Sequence, residues 1–337
     1  SASAFADSKP HYELLDGLRG VAALVVILYH IFEGYAFASN GTIDTLNHGY
    51  LAVDFFFILS GFVIGYAYDD RWGKGLTMKN FFKRRLIRLH PMVIMGAVLG
   101  AVTFYLQGCV QWDGTHIAIS MVMLSLLCTM FFIPAMPGVG YEVRGNGEMF
   151  PLNGPCWSLF FEYIGNILYA LFIRRLSNKA LAVLVAVLGV ALTLFAVLDI
   201  SGYGNIGVGW TLDGVNFIGG TLRMLFPFSM GMLLSRNFKP VKLKGAFWIC
   251  TIIMIALFAV PYLEGAKPFC VNGAYEVFCV IVAFPILVWL GASGTTTDKK
   301  STVICKFLGD ISYPVYVVHY PITVSYTHLR AHETSQD

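Results

Sequence analysis

Ten apolar windows, each 18 to 22 residues long, succeed one another along this chain at 17–38, 50–68, 91–108, 115–136, 156–173, 180–200, 217–235, 246–264, 273–293 and 306–325. A helix rises about 1.5 Å per residue, so about 17–25 apolar residues cross the hydrocarbon of a bilayer. The reading is an all-α, polytopic transmembrane helix bundle of about ten hydrophobic segments. Composition agrees: 57% of the 337 residues are hydrophobic and 13% charged, against about 25% charged in a soluble domain. No linker or low-complexity block of domain size interrupts the pattern. The seven cysteines contain no CxxC pair, and Cys128, Cys250 and Cys279 fall inside apolar windows, where a thiol behaves as a small hydrophobe. Neither a disulfide framework nor a metal site is expected.

Charge orients the bundle, because Lys and Arg collect in cytoplasmic loops. Most of the 23 basic residues lie within or beside four loops at 71–90, 174–179, 236–244 and 299–306. Loops 39–49, 201–216 and 265–272 carry Lys267 alone and should face outward. Three apolar segments separate the first two basic loops, and an odd number of crossings cannot return the chain to the same side. Segment 115–136, which ends in Pro134, Pro137 and Gly138, is the one expected not to cross. It would be re-entrant or lie against the bundle, since non-helical backbone at depth is tolerated where protein covers it. Loop 137–155 is then extracytoplasmic, and helix 156–173 runs inward from it.

Ionisable residues inside apolar runs are costly and usually face a bundle interior or a wet cavity. Residues 16–34 carry Arg19, His30 and Glu33. Arg19 and His30, eleven residues apart, return to within about 20° of one helix face and lie about 16 Å apart along the axis. That places Arg19 at the cytoplasmic surface and His30 about halfway through; Glu33, one turn beyond, has no assigned role. Arg85 and Arg88 share a helical face and offer forks suited to phosphate oxygens, or serve as a positive-inside anchor on anionic lipid. Asp54 needs a partner: an ion pair with an Arg and a catalytic or substrate role are both open. Ser60 and Gly61 read as a small pair that lets a neighbouring helix approach. Glu162, Arg223 and His319 each read singly as a satisfied interior polar group, but together they are what a proton-transfer or substrate site retains.

These residues carry a resemblance. Leu15-Asp16-Gly17-Leu18-Arg19-Gly20 followed by His30, Val53-Asp54 through Ser60-Gly61-Phe62, Arg85-x-x-Arg88, Trp157-Ser158-Leu159-x-x-Glu162, Arg223 ahead of Phe226-Pro227-Phe228, and Ile311-Ser312-Tyr313-x-x-Tyr316-x-x-His319-x-Pro321 stand in one order. Over nearly its whole length the chain resembles acyltransferase family 3, integral membrane proteins that transfer acyl groups to hydroxyls. The resemblance implies acetyl-coenzyme A or another acyl-coenzyme A as donor, with its phosphates on Arg19, Arg85 and Arg88. His30 would be general base or transient acyl carrier, with Glu162 or Asp54 orienting its imidazole. Arg223 would stabilise oxyanion charge or neutralise a carboxylate, and His319 would join the substrate side. No metal and no nucleic-acid partner are implied. The acceptor would be a carbohydrate or lipid-linked cell-envelope molecule, and the location the bacterial cytoplasmic membrane.

The resemblance also divides the chain into an N-terminal cytoplasmic segment at 1–16, a transmembrane acyltransferase domain at 17–325 and a tail at 326–337. It lacks the soluble esterase-like domain appended in some members, which suggests a stand-alone membrane module. The chain does not begin with Met and reads as N-terminally incomplete or processed. The tail abandons the hydrophobic pattern and looks like a translated sequencing adaptor, so it is expected to be non-native, with His328 and His332 in it. A competing class is a proton-coupled transporter or exporter of a small glycan or metabolite, in which buried His, Glu and Arg form the relay; no convincing internal repeat supports it. A scaffold that has lost turnover is a third reading.

Overall fold

The computed structural model describes residues 9, 11–38, 46–263, 270–294 and 299–334, the side chains of 35, 37–38 and 325–334 excepted. Of the expected N-terminal segment 1–16, residues 1–8 and 10 fall outside the described residues; of the tail 326–337, the backbone to 334 is described, as the end of the last helix, and the side chains are not. Within the described residues the chain forms helices and no extended sheet. In order they are α1 (Glu13–Ala38), α2 (Ala52–Tyr68), α3 (Met78–Leu106), α4 (Ile119–Met130), α5 (Cys156–Leu171), α6 (Asn178–Val197), α7 (Gly214–Arg236), α8 (Ala246–Ala259), α9 (Val271–Phe278), α10 (Phe284–Ser293) and α11 (Lys299–Thr334). A π-helical turn at Cys279–Ala283 joins α9 to α10 into one span. Among the described residues, seven spans are long and apolar enough to cross a bilayer: α1, α2, α3, α5, α6, α7 and the joined α9–α10. The lipid-facing surface is visible on α6, where Val183, Val187, Val190 and Leu194 are exposed at helical spacing. So regular an exposed apolar stripe belongs against lipid rather than water.

All ten expected segments are helical, but α3 begins 13 residues before its apolar window. The basic stretch therefore lies inside the helix instead of preceding it. Thr77 caps the start by accepting from the Asn80 amide at 3.2 Å, satisfying one of the unpaired N–H groups of the first turn. Phe81, Arg85 and Leu89 then recur every four residues on the buried face, while Lys83, Arg84 and Arg88 are exposed. At 29 residues, about 43 Å, α3 is long enough to cross the hydrocarbon and still project its basic turns beyond it.

Hydrogen bonds between loops separate two ends. At one, Arg236 at the end of α7 reaches Asp69 at 2.6 Å, the Leu176 carbonyl at 2.7 Å and the Arg174 carbonyl at 3.2 Å; these are the basic loops. At the other, Met149 N–H donates to the Trp210 carbonyl, Asn205 to the Tyr262 hydroxyl and His48 Nδ1–H to the Val260 carbonyl. The described parts of the loops poor in basic charge, together with much of the 131–155 loop, are thus at the opposite end. α4 starts there too and does not cross: with 12 residues it spans about 18 Å and ends at depth, where Phe132 packs on His90 and Tyr163 with ring centres 5.8 and 5.0 Å away. The chain after it leads back out, where Trp112 N–H meets the Arg144 carbonyl and Arg144 donates to Gln107 at 3.1 Å. That closes the crossing count that segment 115–136 opened. α8, at 14 residues, nonetheless joins the two ends.

Two close crossings fix the interior. A Cβ on Gly61 would stand 1.9 Å from the Phe228 carbonyl oxygen, and one on Gly231 2.1 Å from that of Ile58, so α2 and α7 touch backbone to backbone. Beside this crossing Arg223 grips Asp54 with both ends of its fork, Nε to Oδ1 at 3.1 Å and Nη2 to Oδ2 at 2.6 Å, and donates its remaining arm to the Val208 carbonyl at 2.7 Å. Asp54 is fully buried and Arg223 1% exposed. α1 and α11 run parallel in a second crossing, where a Cβ on Gly20 would meet the Leu308 carbonyl oxygen at 2.3 Å.

A cysteine introduced at Asn146 should be labelled by a membrane-impermeant maleimide from the extracytoplasmic side only, in a background without the native thiols; labelling from the cytoplasm alone would refute this topology. Asp54→Asn should leave the Arg223 charge buried without its counter-charge, which costs about 3–5 kcal/mol when one partner of a buried pair is removed. Thermal unfolding in detergent reads this as a large drop in midpoint, and an unchanged midpoint would show that the bridge does not hold the α2–α7 crossing.

Candidate active site

A cavity of about 340 Å³ opens between α1, α2, α3, α5 and α11. Its cytoplasmic rim carries Asp16, Arg19, Arg88 and Asp310, its wall Ser60, Arg85 and Glu162, and its inner end Phe56, Ser158 and Tyr316. Three of the arginines expected to bind phosphate therefore converge from two helices on one space. They are not equivalent. Arg19 is held by α11, through Ser312 at 2.9 Å and the Gly309 carbonyl at 3.3 Å, and by Asp16 at 3.0 Å. Arg85 is buried and donates to Glu162 Oε1 at 2.6 Å, an oxygen that also accepts from Ser60 at 2.9 Å. Arg88 is exposed at the rim.

The inner end is closed by a hydroxyl pair. Ser158 Oγ donates to the Pro155 carbonyl at 2.9 Å, so the 2.6 Å contact with Tyr316 has the phenol donating to the serine. Beyond Tyr316 the rings of His319 and His30 stack at 5.2 Å and 28°. His30 lies one layer past the cavity end and is not among its lining residues. Its Nδ1–H donates to Glu33 Oε2 at 2.8 Å, and Tyr29 donates to the other oxygen of Glu33 at 3.2 Å. A carboxylate on Nδ1 fixes the tautomer and turns the Nε2 lone pair toward whatever the ring faces. His319 Nδ1–H donates to the Tyr316 carbonyl at 2.7 Å.

The expected partners of His30 are therefore replaced. Glu33, which the sequence left without a role, holds the imidazole; Glu162 is engaged by Arg85 and Ser60, and Asp54 by Arg223. The reason is helical geometry: positions i and i+3 on one helix meet without any tertiary coincidence. Asp54 and Arg223 fill one another's hydrogen-bonding capacity, and neither lines the cavity. Of the two roles open to each, the geometry matches the ion pair for Asp54 and the neutralised carboxylate for Arg223.

The outer side of the histidines carries residues that no motif announced. Tyr320 on α11 sets its ring 5.5 Å from that of His30 and donates its hydroxyl to Glu148 of the 131–155 loop. Glu148 is buried, and burial pushes its carboxyl up to about 7. Arg144 is buried beside it, donates to the Pro151 carbonyl at 3.2 Å and lies over the Phe104 ring. Partners 172 residues apart leave no spacing for a reader of the sequence to find. Among the described residues, no three His, Cys, Asp or Glu side chains are grouped to hold a metal ion.

The comparisons with known proteins agree with this architecture. A Rhizobium radiobacter protein, named protein 2 in the picA locus, is 36% identical over 192 residues, 54% of this chain and 93% of that one. A putative peptidoglycan O-acetyltransferase of Bacillus subtilis is 27% identical across 92% of this chain and 48% of its own. The peptidoglycan O-acetyltransferase of Listeria monocytogenes is 26% identical across 94% and 50%. The chain spans about half the length of these last two relatives. No solved structure matches it. The family model described as an acyltransferase domain matches residues 12–334, and the chain belongs to acyltransferase family 3.

Proposed function

We propose that this protein is a membrane O-acyltransferase that takes an acyl group, acetyl in the first instance, from acyl-coenzyme A at the cytoplasmic end. It passes the group to a hydroxyl of a carbohydrate or related cell-envelope acceptor arriving from the opposite end. The observation that supports this most is the alignment of an arginine-rimmed cavity with a carboxylate-held histidine one layer beyond its inner end. Guanidinium forks suit phosphate oxygens, and exposed Arg88 together with Arg19 is the natural grip for the donor's phosphates. Arg85, tied to Glu162, stiffens the wall they share. The relatives named as peptidoglycan O-acetyltransferases favour acetyl as the group and a glycan hydroxyl as its destination.

His30 then acts at Nε2. As general base it takes the acceptor proton while the hydroxyl oxygen attacks the thioester carbonyl. The new C–O bond forms, the C–S bond breaks, and the proton passes to the departing thiolate, so donor and acceptor become free coenzyme A and ester with no proton gained or lost. Glu33 holds the ring and stabilises the imidazolium that forms between the two halves. Tyr316 stands between the cavity and the histidines, and its hydroxyl must leave Ser158 or turn for the acyl carbon to come within reach.

His30→Ala should abolish transfer from radiolabelled acetyl-coenzyme A while the protein still elutes as a folded particle; substantial remaining activity would remove His30 from the centre of the reaction. Glu33→Gln, which keeps size and loses charge, should lower kcat by about 10²–10⁴-fold, the range associated with a positioned proton-transfer group; an activity within threefold of wild type would refute its orienting role. Arg88→Ala should raise the donor KM about tenfold or more and leave the acceptor KM unchanged, since one lost charge-assisted contact is worth about 1.5–3 kcal/mol. The reverse pattern would put the donor elsewhere.

A further inference from the structure

Beyond the histidine pair, toward the extracytoplasmic end, four buried side-chain atoms have no hydrogen-bonding partner: His319 Nε2, Glu148 Oε2, Asn153 Oδ1 and Thr211 Oγ1. They belong to neighbouring pieces. Asn153 donates its amide to the Val317 carbonyl at 2.9 Å, one turn before Tyr320 on α11. Glu148 takes the Tyr320 hydroxyl on its other oxygen and pairs through its backbone with Thr211. Tyr320 in turn lies against both histidines, 5.5 Å from His30 and 6.4 Å from His319 between ring centres. Gly154 completes the enclosure: a Cβ there would stand 2.8 Å from Tyr320 Cε1 and 3.0 Å from Glu148 Oε1, so the loop is shaped to lie on this carboxyl and phenol.

The chemistry of the unpartnered atoms is one-sided. His319 has spent its N–H on the Tyr316 carbonyl and Asn153 its amide on Val317. Two of the four atoms, His319 Nε2 and Asn153 Oδ1, can only accept; Glu148 Oε2 accepts when ionised, and the Thr211 hydroxyl does either. Buried polar groups are nearly always satisfied; Glu148 and His319 both neighbour Tyr320, so a molecule that brings donors to that phenol completes them. A single hydroxyl supplies one; a ring bearing several supplies as many as this corner can take. A donor arriving at Oε2 also favours the ionised form of Glu148, which burial otherwise disfavours.

We propose that Glu148, Asn153 and His319 form a subsite for the acceptor, which holds a hydroxyl adjacent to the one being acylated and so selects a polyhydroxyl acceptor over a single alcohol. The proposal rests on the acyl-transfer reading above and deepens it. No bond is made or broken at the subsite: Glu148 binds and orients, and Tyr320 places its carboxylate relative to His30. Glu148 and Asn153 belong to the 131–155 loop that covers His319, so the subsite is approached from the extracytoplasmic end.

The test uses the full chain in detergent with acetyl-coenzyme A as donor and two acceptors, chitotetraose with many hydroxyls and 1-butanol with one. Thiol release and product mass are followed. Glu148→Gln should raise the chitotetraose KM tenfold or more, while the KM for 1-butanol and for acetyl-coenzyme A stays within twofold. Tyr320→Phe, which removes one oxygen and keeps the ring, should move the same constant in the same direction, and it carries the test should Glu148→Gln fail to fold. A purely structural role would depress both acceptors alike, and that result, or no change for either, overturns the subsite. A wild-type chain that transfers to neither acceptor and releases no coenzyme A overturns the acyl-transfer reading itself, so the two failures are distinct.

Discussion

A charge carried into a bundle interior without a partner costs several kcal/mol, whereas a paired and fully hydrogen-bonded one is tolerated. How this chain meets that constraint separates its scaffold from its site. Asp54 and Arg223 are satisfied by one another and the Val208 carbonyl, both buried and neither lining the cavity. They tie α2 to α7 about two turns from the point where two glycines let the backbones touch. Arg85 and Glu162 are likewise paired, but on a cavity wall. His30 and Glu33 are paired through one ring nitrogen only. The same rule thus yields a clamp, a cavity wall and a half-satisfied histidine, depending on how much hydrogen-bonding capacity remains.

The candidate site is ordered along the axis of α1 and α11. The parallel contact of these helices carries Arg19 onto Ser312 near the basic loops and His30 onto His319 further in. The cavity serves one end of this axis, and the loop that includes Glu148 covers the other. Tyr316, bonded to Ser158, marks the division. A molecule whose phosphates stay in the cytosol and another that approaches from outside can meet across such a division without either crossing the bilayer.

Much of this was legible beforehand because it depends on period and charge. Apolar windows gave the helices, basic loops gave their direction, and the parity of segments between 71 and 179 exposed α4 as a helix that turns back. The order of Arg19, His30, Arg85, Arg88 and Glu162 led to residues that share one neighbourhood. The sequence misplaced the start of α3, because hydropathy is blind to a capped amphipathic turn of lysines and arginines. It sought the partner of His30 across the bundle when the partner lay one turn away at Glu33. It was silent on Glu148, Asn153 and Tyr320, whose meeting depends on an irregular loop with no periodicity to read.

The central claim is that donor and acceptor meet at His30 from opposite faces of the membrane. The most direct measurement places the protein in sealed vesicles of one orientation, with acyl-coenzyme A and a glycan acceptor supplied to chosen sides. The account predicts ester formation when the donor is on the face of the basic loops and the acceptor on the face of the 131–155 loop, and none with the two exchanged. Product formed only when both are on the same side, or only in the exchanged arrangement, would contradict it.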